Sequence, residues 1–407
     1  MRAFAIIFGG NSLAQLVTLA TLVVLGRLYP PESFAYLAGV MSTASICAAV
    51  LHGRYQMAIP VAKGDGEPEI LFAIAAMLSI SLVLPFTALV LAFTQHSSPM
   101  EKERGLFLLA CALVGLGAAL LDVSSYWLTY REKFSVLART NVSRALLVSA
   151  SQVALASTTS LGLVYGAIGG LWLTLLLVLS ATIRPIIGKL FPFVFSDILE
   201  VAKRYRHYPF FGSPQGFLAA SSWNVLPLVL LGSGALGLVG QYWVAYRVLI
   251  APLALFNASY RQATLKKIGW SDLRVASRIV KLHTVVLAAV GLVAVVMFRQ
   301  FEDFIIPTIM GSAWLQAGSI AAALIVGVWA DLFKVPAICF LQSKHNQKEI
   351  LFWEAAIVFV RYVGALLCIR SGDLNLAISV FALIGFLGWV VFTLKVWVYD
   401  LGREIRC

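Results

Sequence analysis

The sequence predicts an all-α, polytopic membrane protein with about twelve transmembrane helices in two six-helix bundles. Of its 407 residues, 60% are hydrophobic and 12% are charged, and the mean hydropathy is +0.89. Soluble domains carry roughly 45–50% apolar and about 25% charged residues, so most of this surface must face lipid. The apolar residues form blocks of ~20 residues, long enough to cross a hydrocarbon core ~30 Å thick. The blocks are continuous rather than alternating, which favours helices over a β-barrel.

The predicted spans follow one another with short connections, none large enough to hold a soluble catalytic domain. The first block is predicted to stay in the protein as a span, because it is too long for a signal-peptide core and residues 26–31 form no small-residue cleavage site. In chain order the twelve spans are 4–26, 34–52, 70–94, 105–128, 141–159, 161–183, 209–232, 236–259, 282–299, 314–341, 350–369 and 374–398.

The basic residues predict the orientation. If the N-terminus is cytoplasmic, the inside segments carry 22 Lys and Arg, the outside segments carry 5, and 4 lie within spans. Cytoplasmic loops are enriched in Lys and Arg, so both termini are expected in the cytoplasm of a bacterium, with the chain in the inner membrane. The net charge of +12 then reflects the topology, and the basic residues are expected to contact anionic lipid headgroups. No nucleic acid partner is expected.

The longest charged connection, residues 184–208, divides the chain at its midpoint into residues 1–195 and 196–407, each with six predicted spans. Both halves open with a span that ends in Leu-Gly, a short outside turn and an aromatic-rich span. Parallel repeats of this kind are typical of transporters, with the substrate path at the interface of the halves. The five cysteines are scattered singly, so neither a metal site nor a cofactor is expected.

Ionisable side chains inside spans are the candidate site residues, together with Arg54 at the end of the second span, because an ionisable group in a span costs roughly 2.5–3.5 kcal/mol on insertion scales and usually faces a partner or a wet cavity. Bases outnumber acids among them, which suits an anionic headgroup, and the planar guanidinium matches phosphate oxygens. The predicted headgroup contacts are Arg54, Arg144, Arg247 and Arg361. The predicted counter-charges or coupling groups are Asp122, Asp331, Lys334 and Glu354.

Several of these residues have a structural alternative. Arg144 lies close enough to the interface to snorkel. Asp331 and Lys334 are spaced i, i+3 and are expected to neutralise each other on one helix face. Glu354 lies within a turn of the cytoplasmic loop, where water would solvate it, and Arg361 lies on the same face two turns deeper. Asp122 is expected to pair with Arg144 or Arg54.

The order of several motifs resembles that of bacterial polysaccharide flippases. Residues 26–34 read GRLYPPESF and residues 54–60 read RYQMAIP, as at the opening of those proteins. Residues 126–134, 202–209 and 245–253 are similar to the end of their fourth span, the approach to their seventh and their eighth span. These motifs are spread over residues 1–265, and the last third matches mainly by its span pattern. One departure is Gln56, which stands where that family commonly has Glu.

The resemblance implies membership of the multidrug/oligosaccharidyl-lipid/polysaccharide exporter superfamily, with two six-helix bundles forming a V and working by alternating access. It implies a transporter rather than an enzyme, one that moves a polyprenyl-pyrophosphate-linked oligosaccharide to the outer leaflet for O-antigen (lipopolysaccharide), capsule or exopolysaccharide assembly. The expected partners are that lipid-linked substrate, membrane lipids, a polysaccharide polymerase and other assembly proteins.

Two alternatives stay open at this stage. A cation-coupled small-molecule exporter of the same superfamily would need an acid-dominated cavity, which the excess of bases disfavours. A membrane-embedded polysaccharide polymerase or glycosyltransferase would usually carry a sizeable outside loop, and the largest ones here are residues 95–104 and 299–313.

Overall fold

The computed structural model describes residues 2–94, 104–182, 195–269, 272–344 and 346–400, and helices account for nearly all of them. The helices are α1 (Arg2–Leu28), α2 (Pro31–Ala48), α3 (Glu67–Thr94), α4 (Arg104–Tyr130), α5 (Phe134–Ala154), α6 (Gly162–Thr182), α7 (Phe195–Arg204), α8 (Ser213–Gly232), α9 (Leu236–Gly269), α10 (Leu273–Gln300), α11 (Glu302–Met310), α12 (Leu315–Phe333), α13 (Val335–Ser343), α14 (Gln347–Arg370) and α15 (Leu374–Lys395). Short 3-10 segments cover Tyr55–Val61 and Ser312–Trp314, and π-helical turns cover Tyr208–Gly212 and Val396–Asp400.

Each of the twelve predicted spans corresponds to a helix in the described part of the chain, which confirms the helical membrane fold class. Ten helical segments of that part are long and apolar enough to cross a membrane. The two predicted spans outside this set are α2, whose 18 residues include Glu32 and four Ser or Thr, and α5, which carries Arg139, Asn141, Arg144 and Gln152. Helix α2 is nevertheless deeply packed, with Phe34 and Ala35 fully buried. Tertiary packing rather than hydropathy places these two helices.

The span predicted over residues 314–341 is interrupted in the structure. Helix α12 ends at Phe333, Lys334 intervenes, and α13 begins with Val335 and Pro336. Proline has no N–H to donate and is tolerated in the first turn of a helix, which is where Pro336 stands. The break falls beside the charged residues Asp331 and Lys334.

The chain divides into two compact units, Met1–Gly240 and Gln241–Cys407. In the first unit, α2 packs against α4 and α8, and α5 packs against α1 and α6. Gly39 of α2 makes the first packing possible, because a Cβ there would come within 2.9 Å of Phe107 and of Leu231. In the second unit, α15 packs against α12 and α14 around a core that includes Phe340, Phe392 and Trp389. The division into six-helix bundles between residues 195 and 196 stays a prediction, and residues 183–194 before it lie outside the described ranges.

Candidate functional site

Arg54 stands in a turn that forces an uncommon backbone conformation. Gly53 and Arg54, between α2 and the 3-10 segment Tyr55–Val61, have φ angles of 55° and 58°. A non-glycine residue in the left-handed region costs on the order of 1–3 kcal/mol and persists only where its surroundings hold it. Such strained residues cluster at ligand clamps and switch regions. The conformation of Arg54 therefore needs a local cause.

His52 supplies that cause. Its side chain is buried, with 1% exposure, and its Nδ1 accepts the backbone N–H of Arg54 at 3.3 Å. Its Nε2 lies 3.2 Å from Oδ2 of Asp122 in α4. Because Nδ1 accepts, the ring proton belongs on Nε2, where it is donated to the carboxylate. The imidazole thus ties the strained turn to α4.

Gln56 completes this polar cluster. Its amide Nε2 donates to Oδ2 of Asp122 at 3.0 Å and lies 3.0 Å from Nε2 of His52. The neighbours that Asp122 contacts directly are therefore His52 and Gln56 rather than the expected Arg144 or Arg54. A Glu at position 56 would place a second carboxylate against Asp122, whereas the amide donates to it. The departure from the flippase pattern thus has a local reason in this chain.

The guanidinium of Arg54 lies against the start of α8. A Cβ on Gly216 would overlap the guanidinium, and one on Gly212 would lie 3.3 Å from the Arg54 side chain. A side chain at position 216 would displace the guanidinium, and one at position 212 would press on the aliphatic part of Arg54. The glycines thus form a slot, called here the Arg54 slot, that fixes the cation after the turn has directed it.

Arg144 of α5 and Tyr126 of α4 extend the group. Arg144 is exposed on the first unit and interacts electrostatically with Asp122. Tyr126 interacts with both Asp122 and Arg54. Among the described residues, no carboxylate oxygen lies within 4.0 Å of Arg54 or Arg144. The first unit therefore gathers two predicted headgroup contacts around a carboxylate that other groups already hydrogen-bond.

In the second unit, Asp331 and Lys334 form the predicted ion pair, with side chains 13% and 17% exposed. The Lys334 ammonium also lies over the Trp389 ring of α15, 3.8 Å from its centroid. The pairing prediction is confirmed. Glu354, half-buried on α14, interacts electrostatically with both charges.

Arg361 is packed between α14 and α15. It is 1% exposed, its guanidinium lies 3.8 Å from the centroid of Phe381, and its Nε donates to the Phe381 carbonyl at 3.1 Å. A Cβ on Gly385 would come within 2.7 Å of that Nε, so this glycine permits the close approach. A headgroup role for Arg361 stays a prediction, since in this conformation the side chain has almost no exposed surface.

Arg247 lies half-buried on α9, with its guanidinium over the Trp243 ring at 4.8 Å. One turn of the same helix stacks Tyr242 and Tyr246, with centroids 6.3 Å apart and planes within 7°. Tyr246 interacts electrostatically with Arg247, Arg361 and Asp331. Arg247, predicted as a headgroup contact, therefore shares one stretch of α9 with three aromatic side chains.

Two polar residues of the first unit were not predicted from the sequence. One is His52, which only its position directly before Gly53 and Arg54 and four residues before Gln56 could have indicated. The other is Glu67 at the start of α3, which forms an ion pair with Arg204 of α7 and accepts from the Tyr205 hydroxyl at 2.9 Å. Burial, followed by the hydrogen bond to this carboxylate, raises the pKa of the Tyr205 hydroxyl. Within the described ranges, no three His, Cys, Asp or Glu side chains gather closely enough to hold a metal ion.

The fold is shared with solved transporter structures. Over 96% of this chain and 87% of the other, it is similar to a lipid II flippase MurJ in an inward closed conformation, with 15% identity and a TM-score of 0.75. It is also similar to an inward-facing multidrug resistance MATE family transporter of the MOP superfamily, over 96% of both chains, with 16% identity and a TM-score of 0.69. The eukaryotic MATE transporter AtDTX14 matches over 99% of this chain and 96% of its own, with 14% identity and a TM-score of 0.55. Neither a family model nor a curated protein sequence matches the chain.

This likeness establishes the fold of the chain as that of MOP-superfamily transporters. It confirms the expected superfamily fold. The similar structures are described as a lipid II flippase and as MATE transporters, one of them a multidrug resistance transporter. At 16% identity or less, it does not distinguish between those two activities in this chain.

Proposed function

We propose that this protein is a membrane transporter of an anionic, lipid-linked substrate: a flippase that moves polyprenyl-pyrophosphate-linked oligosaccharide across the bacterial inner membrane by alternating access. The translocated lipid-linked oligosaccharide would be used for surface polysaccharide assembly, such as that of the O-antigen of lipopolysaccharide. The chain has no enzymatic role in this proposal, and both of its termini lie in the cytoplasm. Its proposed partners are a polysaccharide polymerase and other assembly proteins.

One observation carries the proposal. Arg54 is held in a strained turn by His52, its guanidinium is fixed in the Arg54 slot, and its neighbouring acid, Asp122, is hydrogen-bonded by His52 and Gln56. A cation that is positioned at a cost in backbone strain, without a close carboxylate to neutralise it, is prepared for an external anion. A pyrophosphate is such an anion, and pairs of its non-bridging oxygens can accept both hydrogen bonds of the planar guanidinium fork.

Two further features support the proposal. Arg247 and Tyr246 are both half-buried on α9, so a guanidinium and an aromatic ring lie on one stretch of helix with part of each exposed, which suits contact with phosphate and a sugar ring. The shared fold with a lipid II flippase is consistent with a substrate that keeps its tail in the bilayer. Arg54, Arg144 and Arg247 are the proposed headgroup contacts, and Asp122 and Glu354 are the proposed counter-charges.

The test is transport in proteoliposomes that contain a polyprenyl-pyrophosphate oligosaccharide with a fluorescent sugar, whose exposure is followed with a membrane-impermeant quencher. Asparagine tolerates the left-handed region, so Arg54→Asn removes the charge while keeping the turn. We expect Arg54→Asn to lose transport by roughly 10²-fold, because a charge-assisted bidentate pair contributes about 1.5–3 kcal/mol. Arg54→Lys should recover only part of the rate, since an ammonium lacks the fork.

Arg274→Gln is the matched control, because Arg274 is an exposed arginine on α10 outside both clusters. It should transport at the wild-type rate. Equal rates for Arg54→Asn and Arg274→Gln would remove Arg54 from the site. Absence of lipid-linked transport, together with proton-driven or sodium-driven efflux of an organic cation, would establish the small-molecule exporter instead. Extension of the oligosaccharide without its translocation would establish a polymerase or glycosyltransferase.

A further inference from the structure

A separate cavity of 160 Å³ lies between α5 and α6 of the first unit. Toward the other end of this helix pair, Gly166 and Gly170 allow backbone contact, since a Cβ on either would overlap Gln152 or Val148. The next inward-facing residue along α6 is Thr174, whose side chain needs space that glycine does not. The helices therefore separate beyond Gly170, and the gap is lined by Val136, Arg139, Thr140, Ser143, Thr174, Leu177 and Val178.

The polar wall of this cavity is suited to a single negative charge. Thr140 and Thr174 donate their hydroxyl protons to carbonyls of their own helices, at 2.9 and 2.7 Å. Arg139 and Ser143, one helical turn apart on α5, are then the donors available to a ligand. None of the described residues that line the cavity is a carboxylate. One guanidinium and one hydroxyl match one monoanionic phosphodiester, whereas a pyrophosphate carries more charge than this wall can balance.

The cavity lies close to one end of the helix pair. Arg139 is five residues from the start of α5 and Leu177 five residues from the end of α6, which places both about 7.5 Å along the helix axis from the same end of the pair. Arg131 and Lys133 precede α5 at that end. Leu173, Leu176 and Leu177 of α6 are 49%, 61% and 60% exposed, which makes this flank apolar where a membrane would cover it. A ligand in the cavity would therefore have its charge at the interface and acyl chains along these leucines.

We propose that this cavity binds the phosphodiester headgroup of a resident anionic phospholipid, such as phosphatidylglycerol. Basic pockets between transmembrane helices are recognised sites for such headgroups. Arg139 and Ser143 donate to the phosphate oxygens, and an acyl chain lies along Leu177 and Leu173. The lipid is a permanent neighbour of the α5–α6 pair and is independent of the transported substrate, so its absence would leave the proposed transport function standing.

The test is native mass spectrometry of the full-length protein in detergent, titrated with phosphatidylglycerol or with zwitterionic phosphatidylcholine. We expect the first phosphatidylglycerol to bind at least about tenfold more tightly than phosphatidylcholine, and Arg139→Gln to abolish that preference. Arg274→Gln, an equal loss of charge elsewhere, should keep it. Equal binding of the two lipids to the wild type, or equal losses in both variants, would overturn the proposal.

A second variant tests the contribution of the cavity independently of the charge of Arg139. Ser143→Leu keeps Arg139 and fills part of the cavity with a good helix former, so the helix is expected to fold. We expect it to lose the preference for phosphatidylglycerol as Arg139→Gln does. Retention of the full preference would show that the cavity is not the binding site. Displacement of the bound lipid by inorganic phosphate at a comparable concentration would show that the site takes the free anion, which also overturns the lipid assignment.

Discussion

His52 Nδ1 accepts the backbone N–H of Arg54 at 3.3 Å, so a buried imidazole holds the strained turn that presents the proposed substrate-binding arginine. The same ring reaches Asp122 through Nε2 at 3.2 Å. The arginine therefore depends on His52 for its position, and a substitution at 52 should act on transport through Arg54 without touching the substrate.

Replacing this imidazole tests that dependence. We expect His52→Leu to destabilise the protein by about 1–3 kcal/mol, because the Arg54 N–H and the half-exposed Asp122 carboxylate each lose a hydrogen-bond partner. Transport should fall with Arg54 still present. The measurements are unfolding in an SDS titration and transport in proteoliposomes. His207→Gln, at an exposed histidine, is the control and should change neither; wild-type transport in His52→Leu would show that the turn holds Arg54 unaided.

Substituting Gln56 tests why this chain has Gln where the resembled family commonly has Glu. We expect Gln56→Glu to lower stability by roughly 1–3 kcal/mol at neutral pH, since it replaces an amide donor 3.0 Å from Asp122 with a second carboxylate. The double variant Gln56→Glu with Asp122→Asn restores one donor and one acceptor and should regain most of the loss. The measurement is a double-mutant cycle of unfolding free energies. Additive effects of the two substitutions would show that the side chains do not interact.

The Arg54 slot makes a third prediction. Gly216→Ala adds a methyl group that overlaps the Arg54 guanidinium, so the arginine must leave its position. We expect transport to fall by at least about tenfold, the equivalent of one lost charge-assisted contact. Gly169→Ala is the matched control, because a Cβ there meets no atom within 4 Å and alanine favours the helix by about 0.5–1 kcal/mol. Normal transport in Gly216→Ala would mean that the position of the guanidinium is unimportant.

The membrane helices were predictable from the sequence because most spans are continuous blocks of about 20 apolar residues, and recognising such a block needs no knowledge of the tertiary structure. The pairing of Asp331 with Lys334 was also predictable, since i, i+3 spacing places both on one helix face. Helix α5 was predicted as a span although its polar residues reduce its hydropathy, and the structure shows it packed between α1 and α6. Such a helix is placed by its neighbours.

The cluster around Asp122 was only partly predictable. The sequence identified Arg54, Gln56, Asp122 and Arg144 individually, but it offered no measure of which helices bring them together. His52 and Asp122 are far apart in the chain, and their contact depends on how α2 packs on α4. The left-handed conformation of Arg54 has no sequence signature, because arginine is not a residue that usually adopts it.

Tyr205 gives the protein a specific response to alkaline pH. Its folded-state pKa is raised by burial and by Glu67, above the value of about 10 for an unfolded tyrosine. The stability that it contributes is therefore fully present below pH ~10 and is lost as the pH rises through the raised pKa. We expect Tyr205→Phe to flatten this loss in unfolding measured from pH 8 to 11. Tyr165→Phe, at an exposed tyrosine, should retain the wild-type slope; the same slope in Tyr205→Phe would exclude the hydroxyl as its source.

Arg361 could act in packing or in substrate binding, and its substitution tells these two roles apart. Its position deep in a span predicts a headgroup contact, whereas its 1% exposure and its contact with Phe381 favour packing. A buried charged side chain can often be replaced by an apolar one of similar volume without loss of stability. We therefore expect Arg361→Met to stay within about 1 kcal/mol of the wild type and to retain transport, and Arg361→Ala to lose about 2–4 kcal/mol through the cavity that it leaves. Loss of transport in a stable Arg361→Met protein would instead mean that α14 and α15 separate during the transport cycle and expose the guanidinium to the substrate.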